Sequence, residues 1–339
     1  MKANVMEQVD VPLRMRDLPE PAIAPDEALV RTQTTGICGT DLHILQGKGY
    51  VPPLPHVLGH EPAGVVIAVG ANVRNVVPGD RVIPSLFFTC DECYYCRVGR
   101  HQQCSHLRGI LGVLCHGAFA EYFRAPARNL FHLPCSIPFD VGGLISDAVV
   151  TALHAAKRGQ LTPGSNALVI GSGGVGLCLI QALRSAGVRV LAADVDSKKL
   201  ELAEKCGASG VLHSSSRLHA AALDLAGDDG LQCVFDCVGS ADSLRTACST
   251  VMNGGRVVII GEQEASPSVT STEIAQRELE IVGSRNGTRQ DLVEAIRLVE
   301  RGAITPPIAA HYPLDEANDA LQAFRNGALG RIVLRVADS

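Results

Sequence analysis

No block of lysine or arginine occurs anywhere in this chain. Its 30 basic and 35 acidic residues leave a net charge of −5. That pattern lacks the electrostatic footprint of a protein that binds nucleic acid or an anionic membrane, and argues against polyanionic partners. Nowhere do about 18 or more apolar residues run without a charge or a turn signal, which argues against a bilayer-spanning segment. The opening stretch MKANVMEQVDVPLRMRD has no apolar run or small-residue cleavage site of the signal-peptide kind, so the expected location is the cytoplasm. No low-complexity tract and no repeat of solenoid period is visible. Tryptophan is missing altogether, while glycine occurs 34 times in a chain that is 46% hydrophobic and 19% charged. This is the composition of an ordinary α/β protein with many tight turns.

What the chain does contain is length enough for more than one core. At 339 residues, two domains or one domain with a large insertion are expected. Residues 1 to about 148 carry short apolar runs, such as Ala28–Thr32 and Gly64–Val69, broken by turns like Pro78-Gly79-Asp80. This is a β-rich pattern. From about 149 to 285, short β runs alternate with helical stretches, which predicts a parallel sheet with crossover helices. The last helical pattern read from the sequence covers Gln290 to Arg301, and a strand-like run covers Ile332–Val336.

The first β run of the alternating region, Ala167–Ile170, leads into Gly171-Ser172-Gly173-Gly174-Val175-Gly176 and then at once into an apolar-periodic helix. Glycines so spaced let the chain turn tightly and let the backbone approach a pyrophosphate, while the helix N-terminus supplies N–H donors. Asp194 ends the next predicted strand about 20 residues on, where an acid accepts hydrogen bonds from the adenosine ribose and repels a 2′-phosphate. NAD is therefore expected over NADP, and no arginine follows in Val195-Asp196-Ser197 to favour the phosphate.

Twelve cysteines in a reducing compartment point to metal ligands and buried thiols before disulfides. Cys90, Cys93, Cys96 and Cys104 fall within fifteen residues, and four thiolates suit a closed, structural tetrahedral zinc site. An iron–sulfur centre uses the same ligand set. Cys115, Cys135, Cys178, Cys206, Cys233, Cys237 and Cys248 are scattered and read as small buried hydrophobes.

Two short loops, Gly36-Ile37-Cys38-Gly39-Thr40-Asp41-Leu42-His43 and Gly59-His60-Glu61, gather a thiol, two imidazoles and two carboxylates. Together with the glycine loop and the four-cysteine segment, they resemble the zinc-containing medium-chain dehydrogenase/reductase family. That family includes alcohol, sorbitol and threonine dehydrogenases, and the resemblance runs essentially the whole chain. It implies an α/β architecture in which a GroES-like, β-rich catalytic domain (1–148 and 286–339, with a zinc lobe near 88–106) is interrupted by a Rossmann domain with a doubly wound parallel sheet (149–285).

The resemblance also implies roles. Cys38 and His60 match two ligands of a catalytic zinc, and Glu61 matches the acid beside the metal. Asp147, in Ser146-Asp147-Ala148-Val149-Val150-Thr151, stands in the region of the third ligand, where many relatives carry cysteine or glutamate. Aspartate preserves the charge: Zn²⁺ with one thiolate, one carboxylate and one neutral imidazole sums to zero and leaves a fourth position open. Aspartate is also a favoured helix N-cap, the competing role for Asp147. Thr40 and His43 match a hydroxyl and imidazole proton relay, and histidine suits that task because it titrates near neutrality. Lys199 matches an adenosine-ribose contact, Arg331 an arginine near the pyrophosphate, and Asp41 that arginine's partner. The turns at Val238, Ile260 and Ser284 to Asn286 match backbone contacts to the nicotinamide half.

The expected activity is zinc-dependent, NAD-linked oxidation of a secondary alcohol, polyol or sugar-acid hydroxyl, with two zinc ions per chain. Threonine dehydrogenation is the neighbouring alternative. A zinc-free quinone or enone reductase of the same fold would lack Cys38, His60 and the four cysteines, and a non-catalytic binding protein would not need the intact set. Relatives imply a homodimer or homotetramer, with Val251–Gly261 and Glu280–Gly283 as candidate interface edges. His56, four residues before His60, is flanked by prolines and Gly59, so no helix places the two on one face.

Overall fold

The computed structural model describes residues 1–215, 218–263 and 268–336. The chain divides into two compact units. One comprises Met1–Asp147, Gly287–Arg301 and Ile308–Ser339, and the other Ala148–Asn286 and Gly302–Pro307.

The first unit is built on a seven-stranded sheet. Six strands follow the order Leu130–His132, Arg81–Pro84, Glu61–Val69, Glu27–Ile37, Arg331–Arg335, Ile308–Pro313, and Tyr122–Pro126 also pairs with Glu27–Ile37. A three-stranded sheet (Arg14–Asp17, Lys2–Met6, His56–Val57) and the pair Phe87–Phe88 with Gly109–Ile110 complete it. The register of the long central strand sets the geometry of everything that follows. Gly36 lies opposite Glu61 and Ile37 opposite Ile332, so Cys38, His60 and Arg331 emerge side by side at one end of the sheet. Beneath them, Ile37, Ile44, Leu58, Phe119 and Ile332 belong to one buried cluster.

The second unit is a six-stranded parallel sheet in the order Gly210–His213, Arg189–Asp194, Asn166–Ile170, Cys233–Asp236, Arg256–Ile259, Glu280–Gly283. Numbered along the chain this is 3-2-1-4-5-6, the order whose reversal creates a ligand crevice beside the first strand. Every residue of Asn166–Ile170 and Cys233–Asp236 is buried, as expected for strands covered on both faces.

Three differences from the sequence reading have physical causes. Gly302–Pro307 belongs to the second unit, where Gln181 clamps Thr305 through both its amide groups (2.8 and 3.0 Å) and Ile304 is fully buried. A further helix, Ala317–Arg325, follows the one read as last, and it buries Ala317, Ala320 and Leu321, the i, i+3, i+4 stripe of a short amphipathic helix. Arg256–Ile259 pairs on both sides and is therefore no edge, whereas Glu280–Gly283 ends the sheet.

One stretch, Phe139–Gly159, is helical throughout and passes for a membrane span by length and composition, but 67% of its apolar window is buried inside the protein. It is interrupted by a π turn over Ile145–Val149, a feature that proteins concentrate at functional sites. The boundary between the two units falls within this helix, immediately after Asp147.

Candidate metal centres and dinucleotide crevice

Cys38 directly follows the central strand of the first unit and is the N-cap of the short helix Gly39–Leu45. His60 immediately precedes the neighbouring strand, Glu61 begins it, and Asp147 lies in the π turn. Ligand atoms of Cys38, His60, Glu61 and Asp147 all lie within 4.8 Å of one another. Asp147 sits inside a continuous helical stretch, so it does not cap a helix beginning near Ala148.

The fit to zinc can be tested on distances. For tetrahedral zinc, ligand lengths near 2.0–2.3 Å give S···O and N···O edges of about 3.4–3.6 Å. Here Cys38 Sγ lies 3.4 Å from Asp147 Oδ2, and His60 Nε2 lies 3.9 Å from the same oxygen. Both oxygens of Glu61 are buried, and Oε1 is held by Arg331, so Glu61 stands beside the donor set with its charge already partnered. The donor set and spacing fit the metal.

Asp41 holds the two ligand loops together. Its carboxylate accepts from the backbone N–H of Cys38 (2.9 Å) and of Gly59 (3.4 Å), and faces His60 Nδ1 at 3.3 Å. A carboxylate behind a ligating histidine fixes the ring and raises its basicity. Burial opposes protonation of His60, yet Asp41 outweighs it and holds the imidazole well above the ordinary histidine value. The sequence reading made Asp41 the partner of an arginine; its contacts are with the histidine loop instead.

Arg331, expected near a pyrophosphate, is 3% exposed and lies 2.7 Å from Glu61 Oε1 and 2.9 Å from Asp147 Oδ2. Burial opposes its charge, but Glu61 and Cys38 hold the guanidinium ionised. Burial likewise opposes ionisation of Asp147, and Arg331 and His60 overcome it, keeping that carboxyl well below the usual range. Glu61, more deeply enclosed, is pushed above the usual range by burial despite Arg331. Arg331 therefore sets a permanent positive charge against both Glu61 and Asp147.

Thr40 and His43 lie three residues apart on the helix Gly39–Leu45, and Thr40 Oγ1 is 3.9 Å from Cys38 Sγ. His56 is turned away from this cluster and packs against the Gly112 carbonyl at 3.3 Å.

The four-cysteine loop makes a second centre. Four sulfurs 2.3 Å from one ion at tetrahedral corners are about 3.8 Å apart. The distances are 3.5 Å (Cys90–Cys104), 3.5 Å (Cys93–Cys96), 3.9 Å (Cys93–Cys104) and 4.0 Å (Cys90–Cys96), far from a disulfide bond. Backbone N–H groups aim at the sulfurs, and those of Cys96 and Ser105 pull Cys93 down to about 6. Burial pushes Cys96 up to about 12, a proton that metal binding would displace. Of the scattered cysteines, Cys178, Cys233 and Cys248 are buried, while Cys135 is exposed, contrary to expectation.

In the second unit, Gly171 turns with φ of 96° and Gly173 caps the helix Gly174–Ser185. A Cβ at Gly176 would meet the Gly171 carbonyl oxygen at 2.0 Å, so helix and strand approach as only glycine permits. Val175 lies in the first turn of this helix. Asp194 is 8% exposed and accepts from the backbone N–H of Ser172 (2.7 Å) and of Asp196 (3.0 Å), so it braces the glycine turn as well as ending its strand. Lys199 is half-buried on the next helix, Ser197–Lys205. On the other side of the first strand, Val238 and Ile260 stand in turns that follow two strands; Ser284 donates its N–H to the Ile259 carbonyl at 2.8 Å, and Asn286 has φ of 41°.

Comparison with known proteins agrees with this geometry. A family model described as the alcohol dehydrogenase GroES-like domain matches residues 24–135, and one described as zinc-binding dehydrogenase matches residues 174–301. An alcohol dehydrogenase of Geobacillus stearothermophilus is 32% identical, covering 99% of this chain and 100% of its own length. An L-threonine 3-dehydrogenase of Aeromonas salmonicida is 30% identical, covering 98% and 99%. The crystal structure of an NAD-dependent alcohol dehydrogenase superposes with a TM-score of 0.93 at 29% identity, covering 99% and 100%.

Proposed function

The chain belongs to the zinc-containing medium-chain dehydrogenase/reductase family, and on that premise we propose that it catalyses the reversible, NAD-linked oxidation of a secondary alcohol, polyol or sugar-acid hydroxyl. The observation that carries this reading is the convergence of Cys38, His60, Glu61 and Asp147 within 4.8 Å, beside the buried cation of Arg331.

Cys38, His60 and Asp147 would hold the catalytic zinc, and Cys90, Cys93, Cys96 and Cys104 would hold a structural one. When bound, the catalytic metal supplies Lewis acidity, which lowers the pKa of a hydroxyl from about 16 toward about 7. Glu61, tied to Arg331, stays beside the metal. The hydroxyl of Thr40 would take the substrate proton, and His43, three residues on in the same helix, would receive it by way of the nicotinamide ribose. Asp194 and Lys199 receive the adenosine ribose of NAD. Gly171, Gly173, Gly174, Val175 and Gly176 would receive the pyrophosphate, and Val238, Ile260, Ser284 and Asn286 would border the nicotinamide half. The substrate carbon then gives hydride to the nicotinamide. Among the described residues, the terminal strand Glu280–Gly283 has no partner on its outer side, which supports association into a homodimer or homotetramer.

Zinc-loaded protein assayed with secondary alcohols, polyols, aldonic acids and threonine, each with NAD and NADP, tests this reading. The expected result is NADH formation confined to one alcohol class and greater than NADPH formation. Reduction of quinones or enones, with no alcohol oxidised, would overturn it; activity confined to threonine would place the protein with the amino-acid dehydrogenases.

A further inference from the structure

Asp236 has no role in the chemistry set out above, yet it is a fully buried carboxylate at the mouth of the dinucleotide crevice. It ends the strand Cys233–Asp236 and pairs in register with Ile170, the residue before the glycine turn. Its Oδ1 accepts from the backbone N–H groups of both Val238 and Gly239, each at 2.9 Å. Its Oδ2 accepts from the Ser243 hydroxyl at 2.9 Å, and Ser243 in turn completes the capping box of the helix Ala241–Thr250. Its backbone carbonyl accepts from Ile260 at 2.9 Å and Gly261 at 3.0 Å. One residue therefore fastens two separate turns.

The two turns touch through their main chains. A Cβ on Gly239, where φ is 75°, would meet the Gly261 carbonyl oxygen at 2.2 Å, and a Cβ on Gly261 would meet the Val238 carbonyl carbon at 2.3 Å. Val238 also reaches the glycine loop, since a Cβ on Gly171 would lie 2.9 Å from Val238 Cγ2. Sheet order decides which half of a dinucleotide these turns serve. Asp194 stands on the strand to one side of Asn166–Ile170, and Asp236 on the strand to the other. A dinucleotide that crosses the glycine turn with its adenosine on the Asp194 side carries its nicotinamide on the Asp236 side.

We propose that Asp236 is a positioning residue for the nicotinamide half of the cofactor, fixing the Val238–Gly239 and Ile260–Gly261 turns into one rigid backbone wall. The inference rests on the proposal that the second unit binds NAD. A buried carboxylate bonded to neighbouring N–H groups holds them more strongly than a neutral acceptor does, so charge as well as shape is at stake.

Calorimetric titration of NADH and of ADP-ribose, which lacks the nicotinamide, separates this role from general folding. Asp236→Asn keeps an acceptor and loses the charge, and is expected to raise the Kd for NADH at least about tenfold while leaving that for ADP-ribose within about twofold. Ser243→Ala, which keeps the Asp236 charge but removes the partner of Oδ2 together with one half of the capping box, is expected to shift NADH in the same direction by about threefold and to leave ADP-ribose unmoved. Should Asp236→Asn fail to fold, Ser243→Ala alone decides the matter by the same split. Equal loss of both ligands, or unchanged NADH binding, would overturn the inference while leaving the cofactor reading intact. Wild-type protein that bound neither ligand would overturn both.

Discussion

At the residue scale, the catalytic assignment turns on Asp147. The side chains around it hold its carboxylate ionised, and its Oδ2 is the atom that Cys38, His60 and Arg331 all approach. Asp147→Ala is expected to remove one of two bound zinc ions and to lower turnover at least about 100-fold, since even residues behind a ligand are worth about 10–100-fold. NADH binding should persist, because Asp147 and the glycine turn fall in separate units. Unchanged turnover would dismiss Asp147 as a ligand. That Cys38, His60 and Glu61 lie together was legible only in combination with the glycine loop and the four cysteines, since the two short loops by themselves read equally as core and turn residues. The role of Asp41 could not, since its partners, Gly59 and His60, come from a loop on another strand. The role of Asp236 is likewise hidden in the sequence. The available signal was an acid closing an apolar strand three residues before a glycine, in Asp236-Cys237-Val238-Gly239, but its meaning depends on a second turn that only the parallel sheet brings alongside.

At the scale of elements, strands and crossover helices with apolar periodicity were legible, because burial on one face or both is written into the spacing of residues. The π turn at Ile145–Val149 was not, since no residue pattern distinguishes it from ordinary helix, and it changes which way Asp147 points. Sheet edges were also hidden. The runs around Arg256–Ile259 and Glu280–Gly283 look alike as sequence, and only pairing shows that the second is terminal. An unpaired edge carrying the exposed Ile281 is a template for a second copy. Light scattering on wild-type protein should therefore give a dimer or tetramer, and Ile281→Lys, which places a charge on that edge, should shift it toward smaller species. A wild-type monomer would contradict this account of the edge.

For the whole molecule, the two kinds of layer were legible as β-rich and β-α alternating sequence, because each pattern can bury its apolar surface in only one kind of layer. Gly302–Pro307 escaped that reasoning, since it is held by Gln181, more than a hundred residues earlier in the chain. The central claim joins two kinds of unit: one gathers metal donors of balanced charge, and the other forms a dinucleotide crevice. Its most direct test is NADH formation from an oxidisable alcohol before and after zinc is withdrawn by a chelator and then restored, with NADH binding followed in parallel. The expected result is two zinc ions per chain at the outset, turnover that disappears with the first ion lost and returns with zinc, and NADH binding that survives throughout. Undiminished turnover in zinc-free protein would contradict the account.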